Sequence, residues 1–246
     1  MRSIDFANHL IPFAAISAPR DLSAISNFLK RRQIKWIYHF THFTNVESIF
    51  EKGILSREEM EANQVIFEPS DRERADGLLG GISVSLSFPN AWMLKRKIET
   101  VGNDFVVIQI SANALLNKRT IAFPSNASRH EFERMVPANP ENFVGARGLN
   151  NLFLNENIRQ RNKLISSYPT DVQSEIMVFD SIDTHSLRAL HLPKKFSELM
   201  LAKINKVASE NPDVIVDSPC IHSFFEFANS TGYKPHDGRR WEPDWK

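Results

Sequence analysis

With 246 residues, 42% of them hydrophobic and eighteen of them Phe, the chain holds enough apolar material for one large core, or one core with an extension. Its 30 Lys and Arg against 29 Asp and Glu give a net charge of +1, which excludes a global basic field and leaves any nucleic-acid contact to a local patch. The single cysteine, Cys220, excludes an internal disulfide and fits a reducing compartment. Residues 4–16 are modestly apolar but interrupted by Asp5, Asn8 and His9, so no secretory signal is expected. No apolar run reaches membrane-spanning length, and the expected location is the cytoplasm, with no membrane partner.

Residues 1–33 read as an N-terminal helical extension. Pro19-Arg20-Asp21 introduces a helix with Leu22, Ile25, Phe28 and Leu29 on one face. Arg31, Arg32 and Lys35 cluster at its end, where cations complement the helix dipole; a phosphate contact is the sharper reading of the same residues. Residues 34–43 are dominated by β-branched and aromatic side chains and predict a strand. Thr44 and Glu47 then have the spacing of a capping box, Val46, Ile49 and Phe50 share a helical face, and Gly53 stands at a C-cap. The strand would thus carry His39 and Thr41 straight into a helix N-terminus, a setting that suits phosphate.

A polar segment follows, and its Asp71-Arg72-Glu73-Arg74-Ala75-Asp76-Gly77 reads from charge pattern alone as a solvated turn. Residues 82–88 alternate with period two: Ile82, Val84, Leu86 and Phe88 on one face, Ser83, Ser85 and Ser87 on the other. The serine face implies either water or a polar cleft. Pro89-Asn90 ends this strand, and residues 91–98 predict a helix carrying Lys95, Arg96 and Lys97. A buried strand is expected at residues 105–110, a turn capped by Ser111 after it, and a short strand at residues 120–123. Residues 124–169 lack clear periodicity; a weak amphipathic helix over residues 152–164 would carry Arg159, Arg161 and Lys163. A loop through residues 168–175 leads into a strand at residues 176–179, and another strand is expected at residues 187–192. From Pro193 a helix is predicted with Phe196, Leu199, Met200, Ile204 and Val207 on one face. A short strand at residues 214–216, a helix at residues 221–228 and a polar tail with Trp241 and Trp245 complete the chain.

Few of these residues point to chemistry by themselves. His39 and His42 stand three apart on a strand, hence on opposite faces, and make a poor metal pair. Cys220 has no activating context, and neither a P-loop nor a Gly-x-Gly-x-x-Gly is present, so no metal is expected and conventional nucleotide folds are unsupported. A lone histidine in an aromatic strand is more often packed than functional, and a strand-start glutamate such as Glu175 is usually a solvated edge residue.

His39-Phe40-Thr41-His42, followed by Asn45, Ser48-Ile49 and Gly53-Ile54-Leu55-Ser56, resembles the opening of the NAD pocket in the DarT family of DNA ADP-ribosyltransferase toxins. Gln173-Ser174-Glu175 resembles the ADP-ribosyltransferase pattern in which a Gln or Glu stands two residues before the catalytic Glu. On a strand both would face one cleft. Arg74, in Glu73-Arg74-Ala75-Asp76, occupies the place of the family's arginine, with Arg72 as the alternative. Ser83-Val84-Ser85 and Ser87 resemble the Ser-x-Ser strand of arginine-type ADP-ribosyltransferases, and the run from Ser83 to Asn90 is similar to the DarT branch associated with guanine modification.

The resemblance covers residues 34–192 and implies an α+β ADP-ribosyltransferase fold: two small, mostly antiparallel sheets around an NAD cleft, with flanking helices. It implies Glu175 and Arg74 as catalytic residues, and His39, Phe40, Thr41, Ser48, Leu55 and Arg74 as NAD contacts. It further implies single-stranded DNA as acceptor, with guanine or thymine modified, and a neutralising antitoxin with macrodomain-type ADP-ribosyl hydrolase activity. Residues 193–246 would form a C-terminal helix, short strand and tail packed on this core. The basic groups around Arg96 and Arg161 would track phosphates, and Tyr168 or a nearby Phe would stack on bases. Two other readings stand beside this one: an RNA or protein acceptor on the same fold, and a non-catalytic NAD or nucleic-acid binding module.

Overall fold

A computed structural model describes residues 22–69, 78–102, 104–195, 197–217, 220–231 and 233. Among the described residues seven strands form: β1 (Trp36–His42), β2 (Ile82–Leu86), β3 (Phe105–Ser111), β4 (Thr120–Phe123), β5 (Glu175–Val178), β6 (Leu187–His191) and β7 (Ile215–Asp217). The helices are α1 (Leu22–Arg32), α2 (Val46–Lys52), α3 (Arg57–Ala62), α4 (Ala91–Val101), α5 (His130–Ala138), α6 (Gly145–Asn151), α7 (Glu156–Arg161), α8 (Glu198–Glu210) and α9 (Cys220–Thr231).

The strands pair in the order β4-β5-β2-β1-β3-β6-β7. Every pairing is antiparallel except that of β6 with β7. β1 pairs with β3 along its whole length, from Trp36 opposite Ser111 to His42 opposite Phe105. With β2 it shares only Ile37 opposite Leu86 and Tyr38 opposite Ser85. Beyond that point β2 keeps its pairing with β5, through Val84 opposite Ile176 to Ile82 opposite Val178. The sheet therefore splits into a β1-β3-β6-β7 half and a β2-β5-β4 half that touch at one end and part at the other. The resemblance implied two small sheets around a cleft; here they are the two halves of one seven-stranded sheet, joined where β1 pairs with β2.

Period-two burial fills both faces. Ile37, Val84, Ile108, Ile176 and Leu190 meet Phe28 of α1, Val46 and Phe50 of α2, Leu149 of α6 and Met200 and Ile204 of α8 in one core. On the opposite face Tyr38, Phe105 and Val107 lie under Ala91 and Leu94 of α4 and Phe225 and Ala228 of α9. A third group joins Ile121, Phe123 and Met177 to Phe132 and Val136 of α5.

Several local expectations are corrected. Thr44 and Glu47 make no capping box: a 3₁₀ turn, Phe43–Asn45, separates β1 from α2, and the Asn45 side chain caps nothing. Thr44 instead meets Nδ1 of His42 through its hydroxyl at 2.7 Å, and Glu47 pairs with Lys203 and Lys206 of α8. The capping box belongs to α3, where Ser56 accepts from the Glu59 amide at 3.2 Å and Glu59 accepts from the Ser56 amide at 2.8 Å. Ser87 leaves the strand with φ of 62°, which breaks the alternation and turns Phe88 away from Ile82, Val84 and Leu86 into the other core. The turn after Ser111 forms without help from its side chain. The supposedly irregular residues 124–169 hold α5, α6 and α7, each too short to display a clear period, and only Glu156–Arg161 of residues 152–164 is α-helical. α8 starts after Ser197, whose hydroxyl accepts from the Met200 amide at 3.2 Å, rather than at Pro193, and Leu199 on it is exposed. Residues 1–21, Phe196 and the tail from residue 234 lie outside the described residues. No helix among the described residues is long and apolar enough to cross a membrane.

Candidate functional site

The split in the sheet is a cleft. Where the β1–β2 ladder stops, the next side chain of β1 takes over: Nδ1 of His39 lies 2.8 Å from the carbonyl oxygen of Ser83. A carbonyl only accepts, so Nδ1 carries the proton in this contact, and Nε2 of a neutral ring is the acceptor. Two residues on, the Thr41 hydroxyl accepts from the Asn45 amide at 2.9 Å. Asn45 also donates to the Glu68 carbonyl at 2.8 Å and accepts from the Glu68 amide at 2.8 Å. This buried side chain thus clamps Glu68 onto the start of α2, with both amide hydrogens and the oxygen engaged, as burial requires.

Glu175 faces this strand from the other half of the sheet. It opens β5, and each carboxylate oxygen has a donor: the Ser83 hydroxyl on Oε1, and the Ala127 amide on Oε2 at 3.1 Å. The loop behind it is fixed by buried polar contacts. Asp171 accepts from the Ser125 hydroxyl at 3.0 Å and from the Gln173 amide at 2.8 Å, while Ser174 donates to the Pro124 carbonyl at 2.9 Å. Arg159 of α7 donates to the carbonyls of Tyr168 at 2.6 Å and Ile165 at 2.9 Å. The hydroxyl of Tyr233 reaches Pro169 at 3.0 Å. Burial depresses the Arg159 pKa and raises those of Tyr168 and Tyr233, the latter well above the usual phenol value.

His39, Phe40, Thr41 and Leu55 line the cleft together with Ser83, Ser85 and Glu175. Ser48 lines a smaller adjoining recess that shares His39, Thr41, Asn45 and Leu55 with it and adds Lys52. Five of the six expected NAD contacts and one expected catalytic residue therefore converge. Arg74 and its alternative Arg72 lie outside the described residues; Glu68 and Pro69 before them, and Gly81 after them, line the cleft.

Three expectations do not hold. Gln173 is buried and absent from the cleft wall, because the chain is in a turn there and becomes a strand only at Glu175, so the same-side rule for alternate residues does not apply. Arg159 cannot track phosphate with Arg161, since it is 4% exposed and spends its donors on loop carbonyls. Tyr168 is no open stacking platform: it packs on Tyr233 at 5.4 Å, Phe88 at 5.7 Å and Phe227 at 5.7 Å. Conversely, Asn45, Asn126 and Ser128 border the cleft without having been assigned a role, and Lys97, from the basic group around Arg96, borders it too. Asn45 had a readable signal, its place in the run that resembles the family's NAD pocket; Asn126 and Ser128 join it only through tertiary structure.

A family model described as "ssDNA thymidine ADP-ribosyltransferase, DarT" matches residues 38–225. No curated protein sequence matches the chain. Among solved structures, Thermosipho africanus DarTG in complex with ADP-ribose aligns at a TM-score of 0.52 and 14% identity, over 76% of this chain and 50% of that one. This chain thus spans about half the length of that relative. Thermus sp. 2.9 DarT aligns in its NAD+ complex at 0.42 and 12% identity, over 74% of this chain and 94% of that one. In its complex with ADP-ribosylated ssDNA the same protein aligns at 0.48 and 15% identity, over 74% and 93%. The Thermosipho likeness establishes a shared fold. The family match spans everything from the cleft strand β1 into α9, and with it the chain belongs to the DarT family of single-stranded-DNA ADP-ribosyltransferases.

Proposed function

We propose that the protein takes NAD+ as co-substrate, breaks its nicotinamide–ribose bond and transfers the ADP-ribose to a base of single-stranded DNA. The observation that carries this reading is the Glu175 carboxylate, braced by Ser83 and Ala127, opposite the His39–Thr41 stretch across one cleft. In the step envisaged, nicotinamide leaves with the electron pair of the C–N bond and positive charge grows on the ribose. Glu175 accepts a hydrogen bond from the ribose 2′-hydroxyl and stabilises that charge. A base nitrogen forms the new bond to the ribose C1′ and gives up its proton to solvent. An unpaired base is the accessible acceptor, because stacking and pairing hide the nucleophilic atoms of a duplex.

His39, Phe40, Thr41, Ser48 and Leu55 hold the NAD+ in this reading. Arg74 grips a phosphate or the acceptor base through its planar donor fork, and, being permanently charged, serves as an electrostatic and positioning group rather than a base. The base modified is thymine or guanine: the family description names thymidine, and the serine-rich run from Ser83 resembles the guanine-modifying branch. Further inferences rest on the family resemblance: a cytoplasmic toxin role, a macrodomain-type antitoxin that removes the ADP-ribose, and a core of residues 34–192 flanked by residues 1–33 and 193–246. Mass analysis of single-stranded oligonucleotides of defined composition, incubated with NAD+, tests both the transfer and the base. Arg74→Ala is expected to weaken substrate binding and slow transfer while Arg72→Ala leaves both near normal; the reverse pattern rejects the assignment.

A further inference from the structure

Two arginines stack on Phe153 and a third, Arg31, stands next to them at the end of α1, apart from the cleft walls. The Arg32 guanidinium lies 4.1 Å from the Phe153 ring centroid and that of Arg159 lies 5.1 Å from it. Arg31 donates to Asn150 at 3.0 Å, and Arg32 donates to the Ser166 carbonyl at 3.3 Å. Among the described residues neither Arg31 nor Arg32 has a carboxylate within ion-pair distance, and Glu156 acts on Arg32 and Arg159 only from further away. Burial lowers the pKa of Arg32, and so do the like charges of Arg159 and Arg31. Arg159 is explained by the loop it holds. Arg31 and Arg32 are not explained in that way. Their contacts to neutral acceptors use one of five N–H donors on each side chain. Ordinary complementing of the α1 dipole needs neither the stacking on Phe153 nor the proximity to Arg159.

Like charges held together on a rigid aromatic support, with planar donor edges unspent, match a phosphodiester. With a net charge of +1 the protein has no global field to attract a polyanion, so such attraction has to be local. We propose that Arg31 and Arg32, braced by Phe153 and Asn150, bind backbone phosphates of the single-stranded DNA acceptor at a point remote from the modified base. This rests on the reading that DNA is the acceptor. Arg32 also receives the Ser166 hydroxyl on its backbone carbonyl at 3.3 Å, so a strand seated here rests against the segment that leads to Glu175.

The test is the double substitution Arg31→Gln/Arg32→Gln in the full chain, with Arg188→Gln, an exposed arginine elsewhere on the surface, as control. Losing two phosphate contacts should flatten the slope of log affinity against log salt by about 1.4 for a long oligonucleotide, equivalent to about sevenfold between 50 and 200 mM salt. On a trinucleotide that cannot reach the site, the double variant and wild type should label alike. Thermal stability should hold or rise, because two crowded charges are removed. If wild type labels DNA but the double variant keeps the wild-type salt slope on long oligonucleotides, or melts lower while binding DNA normally, the site is structural and the inference falls. If wild type itself labels no DNA, the underlying function has failed instead, and the two failures are told apart.

Discussion

Glu175 is held on both carboxylate oxygens by groups from different parts of the fold, a hydroxyl of β2 and an amide of the 124–129 loop. Such a carboxylate is oriented before substrate arrives, so its charge acts without reorganisation. Glu175→Gln should cut transfer to DNA by about a hundredfold or more, the scale for loss of one preorganised electrostatic group, while NAD+ affinity by calorimetry changes little. A variant that transfers at the wild-type rate would exclude this role. Ser83→Ala removes one of the two braces and should slow transfer less than Glu175→Gln while leaving the protein folded. His39, Thr41 and Glu175 could be picked out from the sequence because each stands in a short string with a family counterpart. Arg159 could not: on a short charged helix it looks like a solvated cation, and its partners are loop carbonyls that no periodicity reveals.

At the scale of elements, the α2–α3 corner builds one wall of the cleft. Gly53 turns it with φ of +86°, and a Cβ there would stand 2.4 Å from the Ile182 carbonyl oxygen, where Ile54 bridges to Ile182. Gly53→Ala should therefore destabilise by well over 1 kcal/mol, from both the dihedral and the clash, in a urea titration. Ser56→Ala breaks the capping box of α3 and should cost about 1 kcal/mol by the same measurement. The corner's glycine was evident from the sequence, whereas the cap was expected one helix too early. Both Thr44-x-x-Glu47 and Ser56-x-x-Glu59 satisfy the pattern, and the choice was made by tertiary contact: Lys203 and Lys206 of α8 draw Glu47 away from the helix start.

Across the whole molecule, acid should act in two windows. His191, 6% exposed and packed against Phe224 and Tyr38, has its pKa lowered by burial, with Asp217 opposing in part. The unfolded chain therefore binds more protons than the folded one as pH drops below 6.5, and stability should begin to fall there. Glu47 is lowered chiefly by its hydrogen bond from Lys203; in Asp180 burial pushes upward but Arg119 prevails. Those two contribute stability that is lost at lower pH, starting below 4.5. His191→Gln should remove the upper slope of a stability–pH curve and leave the lower one; an unchanged curve above pH 5 would contradict this. The strand order and the split could not be read from the sequence, since alternation tells which residues are buried but not which strands neighbour each other. What could be read was the list of strands, and the family resemblance supplied the cleft between them.

In the function we propose, this cleft moves ADP-ribose from NAD+ to single-stranded DNA. The most direct test is mass spectrometry of a mixed single-stranded oligonucleotide pool incubated with NAD+ and either wild type or Glu175→Gln. Oligonucleotides heavier by one ADP-ribose are expected with wild type, confined to one base, and almost none with the variant. Unmodified DNA of every composition, or equal modification by both proteins, would contradict it.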